Sequence, residues 1–473
     1  MSIRRFGARA PLFALAVAVM SGSGWVSAMA EVEPASTYVV LGEDGARIAR
    51  AVTAADHCPT ILIDGAPQAM TLRAPAQTVA QRPTRSAASQ SKPSVFDAAV
   101  CEAQVPASAR TASIGGRRLP LPPAIVRRIV VIGDTGCRIK LADQAFQACN
   151  DPKAYPFAQV AASAARWKPD VVVHVGDYLY RENPCPTDVA GCAGSPWGYG
   201  LDAWRADFLE PADPLLKAAP WAAVRGNHES CARAGQGWWR LIDPRPLQAG
   251  RDCNDAAQDG VGDYSDPYAI PLGEGAQLIL FDSSNTSAAP LHADDVRLAR
   301  YRETYAKIQA LAQRMPHNIL ADHHPLLAYS ALTSKDGQRQ IYPGNLGLQS
   351  AFASADPALF PASVDLLLSG HIHVWEALDF SSAHPAQIVA GFSGTQEDIV
   401  PLPATPPEAP AVAPGAVVSA MSSWVDGFGF MTLTRTGPGA WRAEVRDRDG
   451  AVVDTCAIDG RRLHCDKGQV ARR

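Results

Sequence analysis

Five apolar runs of this 473-residue chain end in residues that can bind cations or move protons. A run of valines, for example, stops at Gly176 and Asp177, and a tyrosine follows at position 180. A buried aspartate is costly unless a partner or a bound cation compensates its charge. The residues at the five run ends are Asp134, Asp177, Tyr180, Asn227, His228, His323, His324, His371 and His373.

Each of these residues alone has an ordinary structural explanation. An aspartate can cap the next helix, an asparagine can complete a turn, and a single histidine is more often structural than a ligand. Together, however, residues at strand ends would meet at one edge of a sheet. Oxygen and imidazole ligands without a thiolate suit iron, manganese or zinc, and two such ions can clamp a displacement at phosphorus. One carboxylate would have to bridge the ions, and Asp177 is the best candidate.

The elements that must position these residues alternate between strand-like and helix-like segments after residue 127. This alternation predicts an α/β sheet with covered faces. A helix is expected over 294–315, with Val296, Tyr301, Tyr305, Ile308 and Ala312 on one face, and the C-terminal tail is expected to form antiparallel strands. Residues 31–126 are predicted to be a small β-rich N-terminal region with a flexible segment at 74–94, followed by a catalytic domain at 127–473.

The composition gives no sign of a nucleic-acid or membrane partner. The net charge is −4 and 47% of the residues are hydrophobic, so no basic field is expected. The N-terminus has Arg4 and Arg5, then an apolar run, then small residues ending at Ala30, which predicts a cleaved secretory signal over residues 1–30. An uncleaved anchor is the alternative, although the run is short for a span. We therefore expect a secreted or periplasmic protein without a membrane span after cleavage.

The ten cysteines of an exported chain are expected to form disulfides. Sequence cannot fix their connectivity, and a cysteine metal site would lack the usual C-x-x-C spacing. Pairing in chain order would close five local loops, namely Cys58/Cys101, Cys137/Cys149, Cys185/Cys192, Cys231/Cys253 and Cys456/Cys465.

Five ordered motifs resemble the blocks of the calcineurin-like metallophosphoesterases. They are GDTG (133–136), GDYLY (176–180), GNHE (226–229), LADH (320–323) and GHIH (370–373). They are more narrowly similar to the blocks of the purple acid phosphatases. The resemblance covers about residues 127 to 458 and implies an α/β fold of the metallophosphoesterase type, a β-sandwich flanked by helices.

The resemblance also implies a pair of metal sites that share Asp177. Most of the larger family has a histidine where this chain has Gly136, whereas the purple subgroup supplies a tyrosine, here Tyr180. A phenolate favours a ferric ion, so Fe(III) together with Fe(II), Zn(II) or Mn(II) is implied. The first site would use Asp134, Asp177, Tyr180 and His373, and the second Asp177, Asn227, His323 and His371.

Other roles follow from the same resemblance. His228 is implied to bind phosphate and to assist the leaving group. His324 follows the implied ligand His323 and is expected to be a pocket residue, and His174 is expected to be a satisfied buried histidine. The purple acid phosphatases carry substrate-contacting histidines further downstream, where this chain has LLAYSALTS. Tyr329 is predicted to fill part of that gap.

The resulting hypothesis is a secreted phosphatase that hydrolyses small-molecule phosphate monoesters by direct attack of a metal-bound hydroxide. A phosphodiesterase or nucleotidase of the same fold is the alternative, because a pair of ions serves both reactions. A non-catalytic secreted binding protein is a further alternative. A degenerate site would be expected to lose ligands, whereas all the implied positions are filled.

Overall fold

A computed structural model describes residues 1–2, 7, 34–334, 336–402 and 410–470. The predicted secretory signal lies almost entirely outside these residues. The strands are β1 (Ser36–Leu41), β2 (Arg47–Thr53), β3 (Thr60–Ile63), β4 (Ala66–Ala69), β5 (Thr71–Ala74), β6 (Gln77–Val79), β7 (Ser94–Phe96), β8 (Ala99–Val105), β9 (Ala112–Ile114), β10 (Arg117–Arg118), β11 (Arg128–Ile132), β12 (Ile139–Lys140), β13 (Ala145–Phe146), β14 (Val171–His174), β15 (Trp221–Ala223), β16 (Tyr268–Gly273), β17 (Ala276–Leu280), β18 (His317–Ala321), β19 (Ser330–Thr333), β20 (Arg339–Tyr342), β21 (Val364–Ser369), β22 (Trp375–Phe380), β23 (Ala386–Ala390), β24 (Val418–Trp424), β25 (Gly429–Gly437), β26 (Ala440–Asp447), β27 (Val452–Asp459), β28 (Arg462–Cys465) and β29 (Gln469–Val470).

The α-helices are fewer and mostly short. Two of them, α1 and α6, exceed two full turns by a clear margin, and most of the others are single turns inside loops. They are α1 (Phe157–Arg166), α2 (Leu201–Trp204), α3 (Asp213–Leu216), α4 (Gly235–Gly237), α5 (Asp259–Gly262), α6 (Val296–Ala312) and α7 (Leu346–Ala353).

Two large sheets face each other across a shared apolar core. The first has the order β28-β27-β26-β25-β11-β14-β15-β1-β2-β8-β5, and the second has the order β16-β17-β18-β21-β23-β22-β24-β29. Side chains from both sheets form one buried cluster between them. Helix α1 packs on the outer face of the first sheet, and helices α6 and α7 pack on the outer face of the second. The predicted β-sandwich flanked by helices is confirmed.

The central strands of the first sheet explain why the sequence shows continuous apolar runs. Strands β11, β14 and β15 are parallel neighbours. In β11, Ile129 and Val131 enter the core between the sheets, whereas Val130 and Ile132 pack on the helical side. A strand that is buried on both faces needs apolar residues at every position. Its polar residues are therefore confined to its end.

The N-terminal region is β-rich, as predicted, but it shares the first sheet with the rest of the chain. Strand β1 pairs in parallel with β15, with Val40 opposite Trp221, and β2, β8 and β5 extend the sheet outward from β1. Within the segment 74–94, strand β6 pairs with β7 and a short helical turn spans Ala88–Gln90. The sheet thus runs across the predicted boundary at residue 127, which remains a prediction.

Helix α6 begins after the Asp295 cap, whose side chain accepts a hydrogen bond from the Arg297 amide. Its buried face contains Tyr301, Tyr305, Ile308 and Ala312, as predicted. The prediction was wrong for Val296, which is exposed because it lies in the first turn, outside the packed stripe. Leu298 takes the corresponding place.

All five cysteine pairs predicted from chain order are present as disulfides, and no free cysteine remains in the described part of the chain. Two of them, Cys137–Cys149 and Cys231–Cys253, lie in loops that follow strands carrying site residues. Among the described residues, none of the helices has the length and apolar character that a membrane span requires.

Candidate active site

The predicted site residues lie in loops at the carboxyl ends of five strands. Asp134 follows β11, Asp177 follows β14, and Asn227 follows β15, three parallel neighbours in the first sheet. His323 follows β18 and His371 follows β21, which are parallel neighbours in the second sheet. Parallel strands bring their carboxyl ends to one edge of a sheet, so the sandwich places both sets of loops side by side.

Three site residues have a left-handed backbone. The φ angle is +52° at Asp134, +59° at Asp177 and +72° at His371. Residues other than glycine rarely adopt this conformation, and aspartate tolerates it better than most. The two aspartate loops also hydrogen-bond to each other, since the Asp134 amide donates to the carbonyl of Gly176 at 3.0 Å. Backbone strain of this kind, which also occurs elsewhere in the described chain, is therefore present at three positions that aim side chains into the site.

Two glycines leave the space that these side chains fill. A Cβ atom at Gly226 would lie 2.0 Å from Oδ1 of Asp177, and one at Gly370 would lie 2.5 Å from Oδ2 of Asp134. No side chain could occupy either position without displacing a carboxylate. The glycines that begin GNHE and GHIH are thus required by close approach of the loops.

The phenol of Tyr180 is at the centre of the first group of donors. Its Oη lies 2.8 Å from Oδ1 of Asp134, 2.8 Å from Oδ2 of Asp177 and 3.0 Å from Nε2 of His373. A Cβ atom at Gly136 would lie 2.7 Å from the Tyr180 backbone nitrogen, so a histidine cannot fit at position 136. The tyrosine takes up the space that this glycine leaves at the site.

Two histidines are oriented by backbone carbonyls. Nδ1–H of His323 donates to the carbonyl of Val175 at 2.8 Å, and Nδ1–H of His373 donates to the carbonyl of Gln396 at 2.8 Å. The Nε2 lone pair of each ring is consequently directed into the cluster. Nε2 of His323 lies 3.1 Å from Oδ2 of Asp177.

The amide of Asn227 joins the second group of donors. Its Oδ1 lies 3.1 Å from Nε2 of His323 and 3.0 Å from Nδ1 of His371. His371 is exposed, whereas His323 is completely buried. The second group therefore lies closer to solvent on the His371 side.

Burial and charge shift the proton affinities of these groups in a consistent way. Burial raises the pKa of Tyr180 well above its ordinary value, and the Asp134 and Asp177 carboxylates add to that effect. Burial alone would also raise the pKa of Asp177, but the imidazoles of His323 and His228 outweigh it and hold this pKa well below its usual range. Although burial opposes it, the Asp177 carboxylate raises the pKa of His323 to about 10. Tyr180 and His323 therefore retain their protons beside the buried carboxylates of Asp134 and Asp177.

The donor set fits a cation site. No lysine or arginine side chain of the described residues forms an ion pair with Asp134 or Asp177, although both carboxylates are buried. Buried carboxylates need a compensating positive charge. Ligand atoms of Asp134, Asp177 and His323 all lie within 4.8 Å of one another, as do those of His323, His324 and His371. The mixture of carboxylate, phenol, amide and imidazole suits iron, zinc or manganese.

His228 lies beside this cluster. Its amide donates to Oδ1 of Asp177 at 2.8 Å, and its Nε2 lies 3.8 Å from Oδ2 of the same residue. The ring packs on Tyr180 with a centroid distance of 3.7 Å. Burial, together with the nearby Arg233 guanidinium, lowers the pKa of His228 to about 4. The imidazole is therefore neutral near pH 7, and its one N–H, at Nδ1, donates to the carbonyl of Leu179 at 3.1 Å.

The two predicted pocket residues have different surroundings. The ring of His324 lies 4.3 Å from that of His371 and is held by the Ser283 hydroxyl, 3.2 Å from its Nδ1. Tyr329 is buried, and its amide donates to the Glu376 carboxylate at 3.1 Å. Among the described residues, no hydrogen bond or ring contact joins Tyr329 to the donor cluster. His174 is a satisfied buried histidine as predicted, accepting from the Gly176 amide and donating to the Thr135 hydroxyl.

Two carboxylates that the sequence did not single out hold the loops in place. Glu229 accepts backbone N–H bonds from Asp177, Tyr178, Leu179 and Gly226. Asp207 accepts from the amides of Cys137 and Tyr180. Glu229 is the last residue of GNHE, so the motif itself offered a signal. Asp207 lies in a π-helical turn (Arg205–Leu209) outside the motifs, and its role follows only from the three-dimensional arrangement.

Comparison with known proteins places this arrangement in a class. Residues 127–375, more than half of the chain, match the family model described as calcineurin-like phosphoesterase. The fold and the donor cluster define a metal-dependent phosphoesterase. The chain belongs to the calcineurin-like phosphoesterase family, whose fold implies two metal ions.

Solved structures support the fold. The purple acid phosphatase PPD1 from yellow lupin (Lupinus luteus) seeds is similar with a TM-score of 0.54 and 15% identity, covering 90% of this chain and 74% of that one. PhoD is similar with a TM-score of 0.51 and 12% identity, covering 93% of this chain and 94% of that one. At these identities the likeness concerns the fold alone. No curated protein matches the chain.

Proposed function

We propose that this protein is an exported phosphatase that hydrolyses phosphate monoesters at a pair of metal ions. The observation that carries the proposal is the position of the Tyr180 phenol, which lies 2.8 Å from two buried carboxylates and 3.0 Å from an imidazole nitrogen. These groups come from three loops, with Asp177 and Tyr180 in the same one, and converge on one point. A charged cluster of this kind, which reaches solvent on the His371 side, is suited to phosphoryl transfer to water.

The proposed ligands fall into two overlapping groups. Asp177 belongs to both, because its Oδ2 lies close to the Tyr180 phenol and to Nε2 of His323. A carboxylate shared by two cations offsets their mutual repulsion. The first group comprises Asp134, Asp177, Tyr180 and His373, and the second comprises Asp177, Asn227, His323 and His371.

Ferric iron is the proposed ion in the first group. The pKa of Tyr180 is raised by burial and by its carboxylate neighbours, so only a strongly charged, hard cation would displace its proton. The second group lacks a phenol and is proposed to bind Fe(II), Zn(II) or Mn(II).

The bound ions would supply an activated water and neutralise charge on the phosphoryl oxygens. The residues of the chain orient the ligand groups and hold protons at defined nitrogen atoms. The carbonyls of Val175 and Gln396 fix the tautomers of His323 and His373, so that both rings keep a free Nε2. His228 is proposed to assist the leaving oxygen through Nε2, since its ring lies against Tyr180 at the edge of the cluster. Its Nδ1–H donates to the carbonyl of Leu179, so Nε2 must gain a proton to act as the donor.

The proposal is tested by phosphate release from p-nitrophenyl phosphate, with Asp177→Asn as the variant. Loss of a carboxylate shared by both groups should cost more than the roughly 10–100-fold that removal of an outer-shell partner costs, and metal analysis should show loss of bound ions. Asp454→Asn is a matched control, because Asp454 is also buried but hydrogen-bonds to Ser422 away from the cluster. Equal activity of Asp177→Asn and the control would contradict the proposed site.

The same assay separates the alternatives. Faster turnover of bis(p-nitrophenyl) phosphate than of the monoester would favour a phosphodiesterase. A wild-type protein that releases phosphate from neither ester between pH 4 and pH 9, with iron, zinc and manganese supplied, would favour a non-catalytic binding protein.

Export is the remaining part of the proposal. The five disulfides support it, because disulfides persist in oxidising compartments outside the cytosol.

A further inference from the structure

The buried guanidinium of Arg233 lies against the imidazole of His228, the residue proposed to assist the leaving group. Nη2 of Arg233 is 2.8 Å from Nδ1 and 2.6 Å from Nε2 of His228. Nε2 of the same imidazole is 3.8 Å from the Asp177 carboxylate. Arg233 is only 7% exposed, so its permanent charge is buried beside the donor cluster rather than on the outer surface.

The guanidinium is held by a fixed network on its other side. Nε of Arg233 donates to Oε2 of Glu182 at 3.1 Å, and Nη2 is paired with Oε1 of the same carboxylate. The Tyr199 hydroxyl donates to Glu182 at 3.0 Å. A charge-assisted bidentate pair of this kind fixes the plane of the guanidinium.

The backbone that carries Arg233 is also constrained. It follows the disulfide between Cys231 and Cys253, and the Cys231 amide donates to the Asp263 carboxylate at 2.6 Å. The Arg233 amide donates to the carbonyl of Ser230 at 2.9 Å. The arginine is thus positioned before any ligand binds, which reduces the entropy cost of binding.

One donor of this guanidinium remains free. Nη1 of Arg233 makes no hydrogen bond within the described residues, and it is not among their solvent-inaccessible unpaired atoms. Guanidinium donors bind phosphate oxygens especially well because of their planar geometry and delocalised charge.

We propose that Arg233 binds a phosphoryl oxygen of the substrate and makes the site selective for dianionic monoesters over monoanionic diesters. This inference rests on the proposed phosphatase function. A fixed cation interacts more strongly with a dianion than with a monoanion, because the Coulomb energy scales with the ligand charge. Glu182 acts as a positioning residue, since it holds the Arg233 guanidinium and lies 3.1 Å from Nδ1 of His228.

The test compares kcat/KM for p-nitrophenyl phosphate and bis(p-nitrophenyl) phosphate in wild type, Arg233→Met and Arg233→Lys. Loss of a charge-assisted hydrogen bond should lower the monoester value about 100-fold and the diester value only about 10-fold in Arg233→Met. Arg233→Lys should recover part of the monoester loss, because it retains the charge. Binding of inorganic phosphate, measured by calorimetry, should weaken at least about 10-fold in Arg233→Met.

Two further variants separate binding from folding. Arg233→Met leaves the buried Glu182 carboxylate without its cationic partner, so the double variant Arg233→Met/Glu182→Gln removes both charges and should show the same selectivity change in a better-folded protein. Arg435→Met is the matched control, since Arg435 is also 7% exposed and paired with a glutamate. Arg435 lies at the end of the first sheet opposite the site, where its amide donates to the carbonyl of Arg127 just before β11.

Equal losses for the two esters, with unchanged phosphate affinity, would overturn the inference and leave Arg233 with a structural role beside His228. A wild-type protein that turns over neither ester would contradict the proposed function instead. In that case phosphate calorimetry alone decides the role of Arg233, because the affinity difference between wild type and Arg233→Met does not depend on turnover.

Discussion

Glu376 is a buried carboxylate that provides a quantitative test of the structure. It lies in β22, immediately after the GHIH loop, and is only 1% exposed. Its hydrogen bonds come from the Tyr329 amide, which lies 3.2 Å and 3.1 Å from its two oxygens. Burial raises the pKa of Glu376 from 4.5 to about 8, and the Tyr329 amide offsets only part of this effect.

The sign of the pH dependence follows from this raised pKa. Between pH 4.5 and pH 8 the folded state keeps a proton that the unfolded chain releases, so the free energy of unfolding falls as pH rises. One such group contributes a slope of about 1.4 kcal/mol per pH unit in this window. Integrated from pH 5 to pH 8, the loss is about 3.5 kcal/mol.

The variant Glu376→Gln removes this titration while keeping an oxygen acceptor for the Tyr329 amide. Urea unfolding of both proteins at half-unit intervals from pH 5 to pH 8 should show a flatter pH dependence in Glu376→Gln, by about 3.5 kcal/mol over the range. Any hydrogen bond that the introduced amide leaves unmade has a cost that is independent of pH, so it shifts the whole curve and does not change its slope. Glu303→Gln controls for the loss of one exposed carboxylate. Parallel curves for wild type and Glu376→Gln would refute the assignment of a protonated buried acid.

Two further predictions concern the metal centre and export. Tyr180→Phe, which removes the oxygen close to Asp134 and Asp177, should keep the fold but abolish any visible absorption band from a phenolate bound to Fe(III), and a spectrum of the iron-loaded protein checks this; an unchanged band would exclude Tyr180 as the ligand. Protein expressed from the full-length gene should have a mature N-terminus near Glu31, as checked by N-terminal sequencing, because the small residues ending at Ala30 form the predicted cleavage site. An intact N-terminus in the exported fraction would contradict that cleavage.

An α/β sheet with covered faces was predictable from the apolar runs because its central strands are buried on both faces, whereas the two-sheet sandwich was implied only by the family resemblance. Such strands must be apolar throughout, so the polar residue that ends each run stands out, as Asp134 does after β11 and Asp177 after β14. The pairing of β1 with β15 was not accessible. Nothing in the local pattern of the N-terminal strands indicates which sheet edge they join, since strand order is set by contacts distant in sequence.

The residues that hold the site loops and side chains in place were less predictable than the proposed metal ligands. Asp207, which accepts bonds from the Cys137 and Tyr180 amides, lies in a π-helical turn (Arg205–Leu209) that the sequence did not single out. Arg233 likewise follows GNHE in a cysteine-containing loop without any recognisable spacing. Second-layer residues of this kind are recognised by what they contact, and contacts between distant segments are not encoded in local periodicity.

The pairing of Gly136 with Tyr180 shows how two sequence positions can be a single structural choice. A Cβ atom at position 136 would lie 2.7 Å from the Tyr180 amide nitrogen and 2.8 Å from Oδ2 of Asp207. A larger residue there would displace the carboxylate that holds the Tyr180 amide at 2.9 Å, and the phenol would leave the two aspartates. The absence of a side chain at Gly136 therefore allows the GDTG and GDYLY loops to approach each other closely. This close approach lets the Tyr180 phenol reach both carboxylates.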